Sequence, residues 1–218
     1  MSPAGLAKIP YPSQWIDLYD HFSINVRGAT VEELRTEEAL IFEDVIPDGL
    51  GTGYFYNTPP SVAQLGVALA VAPNPKIQEL AANRNFSSRA LVQALRTHKV
   101  LSGLKLLDIG CGMMPGFALA AKSLGAEVHT VDGEALQPAI QEKLDSHTVI
   151  DLGETGAASA IRATSGGAFN YVTPIMIGTV PGHPDFKELS EQAIQDLGEE
   201  LLAPGGHYYA GTGLLQKS

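Results

Sequence analysis

Three carboxylates and two glycines are spaced in a way that could do chemistry. Asp108 ends the apolar run "LKLLDIGCG", where a charge is rarely placed unless something pairs with it. Gly110 and Gly112 follow at once, and a glycine-rich turn after a strand lets backbone come close to a ligand. A dinucleotide turn would want a third glycine at position 115, which is Pro115, and an acid just before the turn would repel a pyrophosphate. Both departures point away from NAD. They suit a ligand whose near end is cationic. Asp132 ends the next apolar run, "VHTVD", where a carboxylate can accept both hydroxyls of a ribose. Asp151, after a third run, could accept from an amino group on a purine.

A ligand with an amine, a ribose and an adenine is S-adenosylmethionine. "LLDIGCG", then "VHTVD", then "LLAPGGHYYAGTG" resemble, in that order, the motifs of class I S-adenosylmethionine-dependent methyltransferases, over about Leu104 to Gly213. The resemblance implies a Rossmann-like, doubly wound, mostly parallel α/β sheet with strand order 3-2-1-4-5. It also implies that Asp108, Gly110, Cys111 and Gly112 line the methionine end, Asp132 and Gly133 the ribose, and Asp151 and Leu152 the adenine.

The chain departs from that family in three places. Asn170 in "AFNYV" stands where an acid is usual. "MMPG" (Met113 to Gly116) replaces the small residues that often follow the second glycine. The chain ends soon after the fifth strand, so the usual C-terminal antiparallel pair is expected to be absent, replaced by N-terminal residues such as "EALIFEDV" or "GYFYN", or supplied by a partner subunit. "GTGYFYNTPPSVAQL" resembles, more faintly, the segment before the first motif of some adenine-specific DNA methyltransferases, which would bring Thr58 to the cofactor. The Asn-Pro-Pro-aromatic motif of those enzymes is missing from "NYVTPIMIG", and the charge of the chain argues against nucleic acid.

Methyl transfer from a sulfonium is an in-line displacement that needs close, dry positioning and no covalent nucleophile. An acceptor that must lose a proton needs a base near the end of strand four. His183 in "TVPGHPDF" is the candidate base, with Tyr171 and Thr173 as acceptor-positioning groups; capping of the following helix is the competing role for His183. His129 alternates with apolar residues and reads as a core histidine. His147 and His207 start strands at the opposite end of the sheet. No spacing of His, Cys, Asp and Glu suits a metal.

The elements that must position these residues are legible in outline. Strands are expected at Lys105 to Ile109, Glu127 to Asp132, His147 to Ile150, Phe169 to Thr173 and His207 to Ala210, alternating with amphipathic segments as in a parallel sheet with helices on its faces. Leu136, Ile140 and Leu144 mark one helix. Phe186, Leu189, Ala193, Leu197 and Leu201 mark another, ended by "APGG". Residues 1–100 form an accessory segment with helices after Thr30 and Ser61 and through "SSRALVQALRTHKV", and 101–218 form the core. The aromatics Trp15, Tyr19, Phe22, Tyr54, Phe55 and Tyr56 offer a lid or core packing.

Composition bounds the reading. The chain has 218 residues, 44% hydrophobic and 17% charged, enough for one sizeable core plus an accessory segment. Net charge is −10. One cysteine excludes an intrachain disulfide and suits a reducing compartment, with the cytoplasm expected. There is no signal-peptide pattern and no apolar run long enough to span a bilayer. The expected function is a small-molecule methyltransferase. The alternatives are an aminocarboxypropyl transferase using the same cofactor and a non-catalytic cofactor-binding subunit. Association with a partner subunit or with further copies of the chain stays open.

Overall fold

The computed structural model describes residues 5–12, 59–83, 88–112, 115–174, 189–210 and 213–218. The chain divides into two units, one comprising Met1–Ile9, Lys105–Met113 and Val128–Ser218, the other Pro10–Leu104 and Met114–Glu127.

The first unit is built on a seven-stranded sheet. Its strands are β1 (Leu6–Ile9), β2 (Lys105–Ile109), β3 (Glu127–Asp132), β4 (Ser146–Val149), β5 (Phe169–Pro174), β6 (Leu202–Tyr209) and β7 (Leu214–Lys217). Their spatial order is β1-β7-β6-β5-β2-β3-β4. β3 and β4, β2 and β5, and β5 and β6 pair in parallel. β7 runs antiparallel to β6, and β1 antiparallel to β7. This is an α/β fold with a mostly parallel sheet, as expected, but the order is not the five-strand list 3-2-1-4-5, because two antiparallel strands extend it. The antiparallel pair expected to be absent or replaced is therefore present. β7 comes from the last residues and β1 from "LAKI", a four-residue strand too short for alternation to reveal. The segments "EALIFEDV" and "GYFYN" lie outside the described residues.

Strand β6 begins at Leu202, well before the expected His207, and takes in "APGG". Proline and glycine end the helix before it as expected, but a bulge carries them into the sheet. Phe169 of β5 faces Leu202 while Tyr171, two residues on, faces His207, so β6 holds extra residues there, with Gly205 at φ +75°.

Among the described residues α6 (Ala157–Ser165) and α7 (Glu191–Leu201) cover this core, with the one-turn α5 (Pro138–Gln141) between β3 and β4. Leu136, Ile140 and Leu144 are all buried, yet only one helical turn forms among them; burial fixed the apolar spacing without a long helix. Ser190 caps α7, its side chain accepting from the Ala193 N–H at 3.1 Å. The buried stripe of α7 is Ile194, Gly198 and Leu201, with Leu197 half-buried and Ala193 exposed, one step round from the expected face. Ile161, Leu201, Leu202 and Tyr208 pack with Leu107, Ile109, Val131, Phe169 and Val172 in one apolar cluster.

The described residues of the second unit form the helices α1 (Pro59–Val71), α2 (Pro75–Ala81), α3 (Ser88–Thr97) and α4 (Gly116–Ser123). Asn74 ends the turn between α1 and α2 and caps α2, accepting from Lys76 N–H at 3.0 Å while its amide donates to the Val100 carbonyl at 2.9 Å. α1 packs on α4, and α3 buries Leu91, Val92 and Leu95. Among the described residues no helix is long and apolar enough to cross a membrane.

One packing detail is directly testable. A Cβ added at Gly198 would fall on the ring of Tyr208, which is buried and cannot swing aside. Gly198→Ala gains about 1 kcal/mol of helix propensity but incurs an overpacking cost of about 1–3 kcal/mol. The overlap with the ring is direct, so net destabilisation is expected, read as a lower urea midpoint. A midpoint raised by the substitution would mean that Tyr208 has room.

Candidate functional site

The sheet order reverses beside β2: the chain runs outward through β3 and β4, then returns to place β5 on the other side of β2. In such sheets, ligands bind beyond the carboxyl ends of the strands at this reversal. Asp108, Gly110, Cys111, Gly112, Asp132 and Asp151 all lie at that end.

Asp108 is the next-to-last residue of β2, in register with Thr173 of β5. It is fully buried, and among the described residues neither carboxyl oxygen meets a hydrogen-bond partner. Burial, with the Asp132 carboxylate nearby, pushes its pKa up to about 8. The opposite strand cannot help it, because the Thr173 hydroxyl donates to the Tyr209 carbonyl at 2.7 Å.

The turn after β2 is fixed by backbone. Gly110 sits at φ +71° and its N–H donates to the Val131 carbonyl at 2.8 Å, joining the turn to β3. Gly112, at φ +63°, donates its N–H to Asp132 Oδ2 at 2.8 Å. Nothing crowds a Cβ at Gly112, so the demand there is for the left-handed backbone and not for space. Cys111 between them is buried and points its thiol at the Gly112 carbonyl, 3.5 Å away. Burial and the two aspartates raise its pKa above the ordinary thiol range, which disfavours the thiolate.

Asp132 is half-buried at the end of β3. Besides Gly112 N–H it accepts from Glu134 N–H at 3.3 Å, and a carboxylate offers about four acceptor positions, so capacity remains for a ligand. Gly133 follows, exposed in the same turn. Asp151 lies just past β4, where Ile150 N–H donates to the Asp132 carbonyl at 3.0 Å. Its Oδ1 accepts from Gly153 N–H at 2.8 Å, closing a small turn in which Leu152 leans on the apolar cluster.

Other expected residues are not brought to this end. Tyr171 is fully buried inside β5, facing Leu106 and His207. Asn170 accepts from the Lys105 N–H at 2.9 Å at the start of β2, the far end from Asp108. His129 is buried, its Nδ1 2.7 Å from Ser146 Oγ and its ring edge-on to Phe169. His207 is half-buried, with its pKa lowered by burial. His183, Thr58, Met113, Met114 and the six N-terminal aromatics lie outside the described residues. Among the described residues no group of three His, Cys, Asp or Glu could hold a metal. A separate concavity in the helical unit, lined by Leu69, Pro73, Asn74, Ile77 and Gln78, has no titratable side chain.

Sequence reasoning missed Thr130 and His147. Their rings and hydroxyls meet at 2.8 Å, and His147 Nε2 reaches the Glu134 carbonyl at 2.9 Å, so His147 belongs to the turn after Asp132 and not to the remote end of the sheet. The available signal was two polar residues inside runs otherwise destined for burial, "VHTVD" and "SHTV", each needing a partner.

The class of protein this defines is an α/β protein with a carboxylate-lined, glycine-turn site at the sheet's point of reversal. No family model matches the sequence, and neither does any curated protein sequence. Among solved structures the chain is similar to the MycE methyltransferase of the mycinamycin biosynthetic pathway, in complex with magnesium and SAH: 15% identity over 69% of this chain and 42% of that one, TM-score 0.37. It is also similar to coclaurine N-methyltransferase bound to N-methylheliamine and SAH, at 12% identity over 93% and 58%, TM-score 0.34. A third is AibC, at 20% identity over 59% and 36%, TM-score 0.36. The chain spans less than two thirds of the length of each.

The Asp108 carboxyl carries a pH signature. Its folded pKa of about 8 lies above the ordinary 3.8, so between those values the ligand-free folded protein holds a proton that the unfolded chain has lost. Stability therefore falls as pH rises through that window and levels off above it. Asp108→Asn cannot ionise. Its advantage over wild type should grow from near zero around pH 4 to on the order of a few kcal/mol near pH 8. Urea midpoints for both proteins across that range check this; parallel curves would mean that Asp108 is ionised and stabilised by a neighbour.

Proposed function

We propose that the chain binds S-adenosylmethionine at the carboxyl ends of β2, β3 and β4 and transfers its methyl group to a small-molecule acceptor. The observation that carries this reading is the buried Asp108 carboxyl with two unpartnered oxygens. A buried acid without a partner needs a donor or a cation, and the ammonium of the methionine moiety is both. Support also comes from the ordered motifs "LLDIGCG", "VHTVD" and "LLAPGGHYYAGTG".

When bound, S-adenosylmethionine supplies an electrophilic methyl group on a sulfonium. Asp108 holds the ammonium, and the turn Gly110–Cys111–Gly112, which both glycines allow by their left-handed backbone, brings main chain to the methionine moiety. Asp132 and Gly133 take the ribose hydroxyls, with Asp132 kept in place by the Gly112 N–H. Asp151 and Leu152 take the adenine, one by hydrogen bond and the other by apolar contact. The proton of the acceptor is assigned to His183, which follows β5 in the sequence, and Thr58 is assigned to the methionine carboxylate. The reading of a subunit completed by a partner loses one of its two motivations, the missing strand pair, since β7 and β1 extend the sheet beyond β6; the absence of a clear acceptor motif still stands behind it.

Calorimetric titration tests the binding. S-adenosylmethionine and S-adenosylhomocysteine should bind in the micromolar range and NAD should not. Asp132→Ala should weaken both by about tenfold or more, the loss of a charge-assisted hydrogen bond. No binding by the wild type, or tighter binding of NAD, would reject the reading.

A further inference from the structure

His147 has both ring nitrogens engaged and is buried. A carbonyl can only accept, so Nε2, 2.9 Å from the Glu134 oxygen, carries the ring hydrogen. In the neutral ring Nδ1 is then an acceptor, and the Thr130 hydroxyl 2.8 Å away donates to it. A buried histidine satisfied on both sides is ordinary. What sets this one apart is where its second bond goes.

Glu134 is held at two atoms: its carbonyl by His147 Nε2 and its N–H by Asp132 Oδ1. Asp132 in turn accepts the Gly112 N–H with its other oxygen. The chain Thr130, His147, Glu134, Asp132, Gly112 thus runs from the interior of β3 and β4 to the glycine turn. Gly133, Glu134 and Ala135 are exposed, and the next buried side chain after Asp132 is Leu136. The Glu134 backbone bonds are therefore what hold this short turn against the sheet.

We infer that His147 is the positioning residue for Asp132: by anchoring the Glu134 carbonyl it keeps the turn after β3 folded back on β4, which orients the Asp132 carboxylate between the ribose and Gly112. The inference rests on the proposed cofactor site. The Glu134 carbonyl selects the tautomer that donates from Nε2, and the Thr130 hydroxyl satisfies the Nδ1 acceptor that this leaves.

The test pairs two conservative variants. His147→Gln can present its amide N–H where Nε2 stood. His147→Asn keeps a polar group beside Thr130 but is too short to reach Glu134. The Asn variant should bind S-adenosylhomocysteine about tenfold more weakly than wild type, and the Gln variant about as well as wild type. In an Asp132→Ala background His147→Asn should cost nothing further, because its effect runs through Asp132. Amide exchange in the ligand-free protein gives a readout independent of any ligand: the Glu134 and Gly112 amides should exchange faster in the Asn variant than in the Gln variant. Equal exchange at both amides in all three proteins would overturn the inference. So would a loss of affinity that is as large without Asp132 as with it. If the wild type binds no S-adenosylhomocysteine, the cofactor reading fails while the exchange comparison still decides the role of His147.

Discussion

A carboxyl group buried without a partner is the constraint around which the site is arranged. Asp108 sits on β2, an interior strand of the sheet, between packed or already committed neighbours. Leu107 and Ile109 belong to the packed core, and Thr173 across the strand spends its hydroxyl hydrogen on Tyr209. Burying an acid this way costs free energy whether it is charged, through desolvation, or neutral, through unmade hydrogen bonds. A core optimised only for stability would carry an apolar residue there. In the proposed reading Asp108 is one half of a binding interaction whose other half is a cation.

The surrounding backbone makes that position usable. A glycine turn approaches a ligand only if it is itself held, and here it is held without side chains of its own. Gly110 is fastened to β3 through Val131, and Gly112 to the Asp132 carboxylate. Asp132 therefore has two duties. It is the second acid of the site and also the clamp that fixes the turn following the first. The same economy appears on its far side, where Glu134 and His147 hold the next turn in place. Damage at any member of this chain should spread to the others, which is why single substitutions here are informative only with a second background or a structural readout.

Much of this was legible from residue order alone. The acid-glycine-glycine run at the end of one strand and the acid at the end of the next stand where the spacing put them. Strands β2 and β3 have the expected limits, because each is a short apolar run with clear boundaries. What escaped was decided by tertiary structure. β1 and β7 are four residues each, too short to show a period, and pair across nearly the whole chain length. "APGG" reads as a stop, yet a bulge opposite Phe169 and Tyr171 takes it into β6. The spacing of Leu136, Ile140 and Leu144 reports burial and not helix. The role of His147 depends on a turn folding back on the sheet, which no local pattern encodes.

The central claim is that Asp108 is neutral in the ligand-free protein and becomes the counter-ion of a bound ammonium. Calorimetry of S-adenosylhomocysteine binding at pH 7 in two buffers of different ionisation enthalpy measures it directly, because the difference in apparent enthalpy counts the protons exchanged. The account predicts release of about one proton per ligand bound, absent in Asp108→Asn. Binding with no proton exchange in the wild type would contradict it, since Asp108 would then hold the same charge with and without the ligand.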